Sequence, residues 1–428
     1  MAATGGGATR EAELRAVERL RAPETIRARA QWFLRRAEQD GLLHFRYRPE
    51  RLDAVAERVV AVTRAAHPTL AIPYHARWRH FVAGSPTAAR QRLGRLEAAL
   101  QALDPAERAR ARFDLVVTSV LLDAGAGPDW RWVEPVSGET FSRSEGLALA
   151  SLEMFLVGAF SSDPDRPLRA DAEGLEAVDD LTVGRAFQVR EENPLVGLSG
   201  RAALLRRLGE ALRADAARFG DPPRVGHLYD HLAGLADGGR LPAAAVLRAV
   251  LEGLGSIWPG RESLAGVNLG DVWLYPGLTA GVPAGEREPG DDLVPFHKLS
   301  QWLVYSLLEP LEAAGVAVVG LDQLTGLPEY RNGGLLLDLG LLEAKQPEVL
   351  SQVHHVGSAV VVEWRALTVA LLDRVAERVR EALGLSAEAF PLAKVLEGGT
   401  WQAGRFVARE RRPDGGPPLR VESDGTVF

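Results

Sequence analysis

The residues best able to do chemistry fall in four short segments. The first, Val294-Pro295-Phe296-His297-Lys298-Leu299-Ser300-Gln301-Trp302, opens a helix that reaches about Glu309. Phe296, Leu299, Leu303 and Leu307 recur on one face and predict core, while Lys298, Gln301, Tyr305 and Glu309 recur on another. A stripe of cation, amide, phenol and carboxylate can line a polar cavity. A solvated helix face has the same pattern. The second segment, Gly326-Leu327-Pro328-Glu329-Tyr330-Arg331-Asn332-Gly333-Gly334-Leu335, puts a carboxylate and a guanidinium on a Pro-led turn entering an apolar helix. Its two glycines permit close approach of a backbone or a ligand. An ordinary helix start with an acidic first turn is the alternative.

In the third segment, Glu363 and Arg365 sit in the apolar run Val360–Leu367. Buried charges are expensive unless paired, so these two are either a structural ion pair or functional. The fourth, Leu121–Trp130, is a helix end running into a Gly-rich turn that carries Asp123 and Asp129. A Gly-x-Gly without a strand-helix-strand context is no dinucleotide signature, and a C-terminal cap explains it as well. Tyr74-His75-Ala76-Arg77-Trp78-Arg79-His80 adds a basic, aromatic stretch in which His75 and Arg79 could grip a phosphate, or serve structure.

Other chemistries find little support. The chain has no cysteine, which excludes disulfides, thiolate zinc sites and cysteine nucleophiles. His227 and His231 have helical i, i+4 spacing, but a zinc site needs a third ligand and no HExxH pattern exists, so no metal is expected. Gly197-Leu198-Ser199-Gly200 lacks the spacing of a serine-hydrolase elbow.

Something must position these segments, and composition says what. Hydrophobic residues make up 46% of the 428-residue chain and charged residues 25%, enough for a large core and typical of a globular protein. The net charge of −7, with Arg interleaved among Glu and Asp, argues against a nucleic-acid binder. No apolar run approaches the ~20 residues of a membrane span, and no signal-like segment opens the chain, so the expected compartment is the cytoplasm.

Ala, Leu, Arg and Glu dominate and favour helix. The spacing predicts helices at about 23–40, 49–66, 104–122, 142–160, 199–217, 225–235, 241–254, 293–312, 330–343 and 361–384. Asp104-Pro105 reads as a cap and a first-turn proline, and Ser142 with Glu145 as a capping box. The stretch 160–198 should be irregular. Pro413-Asp414-Gly415-Gly416 signals a hairpin between Trp401–Ala408 and Leu419–Glu422. The expected architecture is all-α: a disordered tail over 1–19, then one large helical domain over 20–428. That domain divides into an N-terminal half (20–220), a C-terminal half carrying the site (221–400) and a small β element (401–428).

These motifs resemble a uracil-catabolism family of fungi and bacteria, linked to a route that opens the pyrimidine ring and yields urea. The resemblance runs from about Leu20 to Phe428. It rests on Pro73–Phe81, Leu122–Trp130, Ser142–Gly146, Phe296-His297-Lys298, Leu327–Gly334, Val362-Glu363-Trp364-Arg365, Leu396-Glu397-Gly398-Gly399-Thr400-Trp401 and Ser423–Phe428. A fainter similarity is to the queuosine 5′-phosphate nucleosidase family, which is all-helical and related to DNA glycosylase folds. That family has a Phe-Tyr-Lys helix start, an Ala-Asp-Tyr-Arg turn and a Val-Glu-Ile-Arg segment. Here Phe296-His297-Lys298, Pro328-Glu329-Tyr330-Arg331 and Val362-Glu363-Trp364-Arg365 follow in the same order. The likeness implies a DNA-glycosylase-like body in which Lys298, Glu329 and Glu363 share a site, with Glu where that family has Asp.

The two resemblances together imply hydrolysis of the N-ribosidic bond in a ribosylurea or its 5′-phosphate, with no cofactor. Glu329 would be the carboxylate that activates water and stabilises oxocarbenium charge. Lys298 would hold an anion or orient Glu329. Glu363 and Arg365 would bind ribose hydroxyls or support the site, and Asp123 or Asp129 would protonate the leaving nitrogen. Tyr330, Arg331, Tyr305, His75, Arg79 and His297 complete the expected substrate contacts. The partner is a small ribonucleotide-derived molecule, with no nucleic acid and no membrane. A non-catalytic nucleotide-binding or regulatory protein of the same pathway would use the same residues without turnover, and an amidase acting on a ureido acid lacks a visible nucleophile.

Overall fold

The computed structural model describes residues 4–123 and 125–422. Its longer helices, in chain order, are α1 (Thr4–Arg21), α2 (Pro23–Glu38), α3 (Leu52–Ala66), α4 (Pro86–Gln101), α5 (Pro105–Leu121), α6 (Arg143–Leu156) and α7 (Leu198–Ala214). They continue with α8 (His227–Leu235), α9 (Ala243–Leu254), α10 (Lys298–Ala313), α11 (Tyr330–Asp338), α12 (Ala359–Leu383) and α13 (Trp401–Arg411). The fold is mostly α, as the composition predicts. Among the described residues no helix is long and apolar enough to cross a membrane.

The helix starts follow their local grammar. Pro23 opens α2 and Glu24 sits in its first turn, with Ile26, Ala30, Phe33, Leu34 and Ala37 on the buried face. Asp104 accepts the Glu107 amide at 2.9 Å and caps α5. The capping box expected at Ser142 is not formed: its side chain makes no cap hydrogen bond. Arg143, the first helical residue, has a φ of 53°, outside the helical region a regular first turn requires. Residues 4–19, expected as tail, belong to α1, and residues 1–3 lie outside the described residues.

Two compact units divide the chain. One comprises the residues up to His75, Pro259–Trp302 and the chain from Gly320 onward; the other comprises Ala76–Trp258 and Leu303–Val319. The first unit is built around α12. Every residue from Val360 to Leu372 is buried, so this helix is enclosed on all sides. It packs on α2, α3 and α11, and α11 packs on α13. A Cβ on Gly333 would come within 2.5 Å of the Trp364 ring, so that glycine lets α11 lie directly on α12.

Short strands tie down the edges of this unit. β1 (Phe45–Tyr47) pairs antiparallel with β4 (Leu342–Ala344), Phe45 opposite Ala344. β2 (Val272–Leu274) and β3 (Leu293–Pro295) form an antiparallel pair whose open end leads into α10. β5 (Val353–His354) and β6 (Arg420–Val421) pair in parallel.

That last pair corrects the hairpin expected over 401–428. Trp401–Arg411 is helical because its apolar residues recur at helical period: Ala403, Gly404, Val407 and Ala408 form the buried face. The partner of Arg420–Val421 is the distant β5, and Ser423–Phe428 lie outside the described residues.

In the second unit, α5 packs on α6 and α8, and α7 on a short helix at Ala172–Glu176. The stretch 160–198, expected to be irregular, holds that helix and another at Asp180–Ala186, each capped by an aspartate, Asp171 and Asp179.

Candidate functional site

Three elements of the first unit meet at a cluster of polar side chains. Lys298 is the first residue of α10 and is half-buried. Glu329 is the N-cap of α11: one carboxylate oxygen accepts the Asn332 amide at 2.6 Å and the other the Arg331 amide at 2.8 Å. Burial pushes the Glu329 carboxyl above its ordinary value, against the two amides, Lys298 and His75, which each pull it down. Lys298 and His75 therefore stand within electrostatic reach of this carboxylate. A carboxylate offers about four lone-pair directions, so the two amides leave acceptor capacity on each oxygen.

His75 brings a second carboxylate. Its Nδ1 lies 2.8 Å from Glu397 Oε2, its backbone amide donates to the Ala393 carbonyl at 2.7 Å, and its ring stands 5.8 Å from that of Trp401. Glu397 belongs to a π-helical turn, Leu396–Thr400, that feeds directly into α13. Such turns are rare and are frequent at functional sites.

Behind the cluster lies a buried ion pair that sequence reasoning missed. Arg365, 1% exposed, donates from its two terminal nitrogens to Asp271, at 2.7 and 2.8 Å. Asp271 also accepts from the Trp273 indole at 2.7 Å and the Lys298 backbone amide at 3.0 Å. Burial alone would raise the Asp271 carboxyl, but Arg365 and the other donors outweigh it and hold it well below the usual carboxylate range. Arg365 Nε donates to the Pro328 carbonyl at 3.4 Å, next to Glu329, and its guanidinium lies 4.1 Å from the Phe296 ring centre.

The remaining expected residues separate into groups. Glu363, fully buried, faces other partners: the Tyr275 hydroxyl donates to it at 2.8 Å and the His44 amide at 3.1 Å, with His44 Nδ1 at 3.2 Å. Burial, then the Glu363 charge, pushes the Tyr275 hydroxyl up and keeps it protonated. His297 is buried and its Nε2 lies 3.0 Å from the Leu20 carbonyl. Burial lowers its pKa, so it is a neutral structural donor. Arg331 donates to the Gly415 carbonyl at 2.8 Å and lies over the half-buried Tyr330 ring at 5.9 Å.

Asp123, Asp129, Arg79 and Tyr305 belong to the second unit. There Asp123 pairs with buried Arg77 at 3.0 Å, Arg79 donates to Glu309 at 2.6 Å, Asp129 is exposed and Tyr305 is fully buried. The stripe on α10 is thus no solvated face: Gln301 is also fully buried and accepts the Thr325 amide at 2.9 Å.

Among the described residues no three His, Asp or Glu side chains converge as a metal-holding group. His227 Nδ1 is engaged by the Phe219 carbonyl at 2.7 Å. What the cluster offers is proton transfer and charge stabilisation: a carboxylate of raised proton affinity on a rigid cap, an ammonium within electrostatic reach of it, and an imidazole held by its own carboxylate.

Comparison with known proteins fits the motif pattern. The model of a family described as "Protein of unknown function (DUF1688)" matches residues 19–428. The chain is 40% identical over 421 residues to Protein urg3 of Schizosaccharomyces pombe, covering 96% of this chain and 99% of that protein. It is 36% identical over 411 residues to Uracil catabolism protein 4 of Lachancea kluyveri, covering 90% of this chain and 92% of that protein. With residues 19–428 matched in this way, and with these two relatives aligned over nearly their full lengths, the chain belongs to the DUF1688 family.

Proposed function

We propose that this protein acts in uracil catabolism by hydrolysing the N-ribosidic bond of a ribosylurea, in its 5′-phosphate form, to urea and a ribose phosphate. The observation that carries this reading is Glu329: a carboxylate fixed at a helix cap, raised by burial and within electrostatic reach of Lys298. The pathway comes from the relative named Uracil catabolism protein 4. The ribosidic chemistry rests on the three segments, around Lys298, Glu329 and Glu363, that resemble the queuosine 5′-phosphate nucleosidase family.

Departure of the nitrogen builds positive charge on the sugar ring. An ionised Glu329 at the anomeric carbon stabilises that charge and takes a proton from the attacking water. Raised proton affinity makes it a better base than an ordinary surface glutamate. Lys298, on a helix start clamped through its backbone to Asp271, supplies the positive charge that holds the phosphate. Glu363 drops from the catalytic set in this reading, because Tyr275 and His44 already use both its oxygens.

Urea release from ribosylurea 5′-phosphate tests the assignment. Glu329→Gln keeps the shape of the cap and removes the base, so turnover should fall about 10²–10⁴-fold while the fold persists. A variant with full turnover refutes it. One observation favours a second reading, a regulatory protein that binds the nucleotide without turnover: both Glu329 oxygens already accept backbone amides, as in a plain cap. Thermal stabilisation by the substrate with no urea released would support that alternative.

A further inference from the structure

Hydrolysis by Glu329 alone leaves one problem unsolved. Urea departing as an anion is far too basic to leave, so the nitrogen must receive a proton as the bond to carbon breaks. Asp123 and Asp129 belong to the other compact unit, and Asp123 is tied to Arg77. The first unit holds a different candidate.

We infer that His75 is the catalytic acid of this site, giving its Nε2 proton to the departing ureido nitrogen, and that Glu397 is the residue that positions it. This rests on the hydrolase reading above. Nδ1 lies against Glu397 Oε2 at 2.8 Å, which fixes the ring's orientation, so that in the imidazolium form Nδ1 donates to Glu397 and the second proton sits on Nε2. Nε2 has no hydrogen-bond partner among the described residues and is the nitrogen left for a ligand. The backbone bond to Ala393 and the Trp401 ring hold the imidazole on two further sides. Two carboxylates act on the ring: Glu397 on the π turn, and Glu329 at the start of α11 within electrostatic reach. Lys394 lies over the adjacent Tyr74 ring and Arg405 over Trp401.

The π turn itself is built to present Glu397. A Cβ on Gly399 would meet Val59 Cγ1 and Thr63 Oγ1 at 2.5 Å, and one on Gly398 would meet Ile72 at 3.2 Å, so the glycines let the widened turn rest on α3 and the chain after it.

The step balances. The water oxygen bonds to the anomeric carbon and its proton passes to Glu329. The carbon–nitrogen bond breaks with its electron pair going to nitrogen, which takes the proton from His75. Neutral urea and a ribose phosphate leave, and solvent exchange returns one proton from Glu329 and another to His75.

Two substrates separate an acid from a merely structural histidine: ribosylurea 5′-phosphate, and 4-nitrophenyl riboside 5′-phosphate, whose leaving group departs as a stable anion. His75→Gln should lose about 10²–10⁴-fold in kcat/KM for urea release yet stay within about threefold of wild type for nitrophenolate release. Glu397→Gln should lose less, again on the ribosylurea only. Glu329→Gln should lose both activities. Equal loss on both substrates in His75→Gln, or no loss on either, overturns the assignment. If His75→Gln does not fold, the same contrast in Glu397→Gln decides it. A wild-type protein that cleaves neither substrate defeats the hydrolase reading itself, and this inference with it.

Discussion

Asp271→Asn should be the most damaging single-atom change in the first unit. Asp271 accepts from both terminal nitrogens of Arg365, from the Trp273 indole and from the Lys298 amide. The asparagine is isosteric but neutral, and its NH₂ must face one of those donors. Arg365, 1% exposed, then stays buried without its counter-charge. Removing one partner of a buried pair costs about 3–5 kcal/mol. A body of this size loses roughly 2–4 °C of Tm per kcal/mol, so melting should fall by about 6–20 °C. The double variant Asp271→Leu/Arg365→Met should recover much of the loss, because it leaves no orphaned charge and apolar groups fill the space. The effect has a pH signature. The folded-state pKa of Asp271 is depressed, so its contribution is present above the unfolded carboxylate value and is lost as pH falls through the folded one. The Tm gap between wild type and Asp271→Asn should close on acidification. Thermal scans over a pH series supply the data. A variant melting within about 1–2 °C of wild type at neutral pH, well inside the shift that a lost buried pair implies, refutes the reasoning. So does a double variant whose loss equals the sum of the single losses.

The acid limb of kcat/KM for urea release should lie above the ordinary glutamate value of 4.5, because burial raises Glu329 and only its ionised form can accept a proton. Activity then rises with pH through that limb, and a limb at the unperturbed value contradicts the role of Glu329. Glu363→Gln should lose stability, about 1–3 kcal/mol from the disturbed Tyr275 and His44 hydrogen bonds, while turnover stays within a few-fold. A folded Glu363→Gln protein whose kcat falls a hundredfold would put Glu363 back among the reacting groups.

Where the fold was legible, local grammar was enough. Asp104 before Pro105, Pro23 with its acidic neighbour, and the long apolar run of α12 each specify a helix from a handful of residues. Ser85-Pro86 carries the same signal and opens α4, with the Ser85 hydroxyl accepting the Ala88 amide at 3.2 Å, yet no helix was expected there. At the C-terminus Pro413–Gly416 carry a turn signal, yet the spacing of Ala403, Val407 and Ala408 is helical and decides the structure. The division into units lay beyond any local rule. The chain leaves the first unit after His75 and rejoins it at Pro259, and only contacts between segments far apart in sequence define that path.

The site divides along the same line. Residue type marked Lys298, Glu329 and His75 as candidates, and burial logic rightly flagged Glu363 and Arg365 as charges that need partners. Yet two residues apart on a helix they point in different directions, and each finds its partner elsewhere: Tyr275 and His44 for one, Asp271 for the other. Nothing local to Arg365 announces an aspartate 94 positions earlier in the chain. That aspartate nevertheless sets the geometry of the candidate chemistry. It binds the amide at the start of α10, where Lys298 sits, and through Arg365 it reaches the Pro328 carbonyl in the turn that carries Glu329. Asp271 thus ties the backbone of both segments, although it is assigned no contact with substrate. Changes at Asp271 should consequently alter turnover even in the fraction of molecules that remains folded, because both reacting elements lose the same anchor.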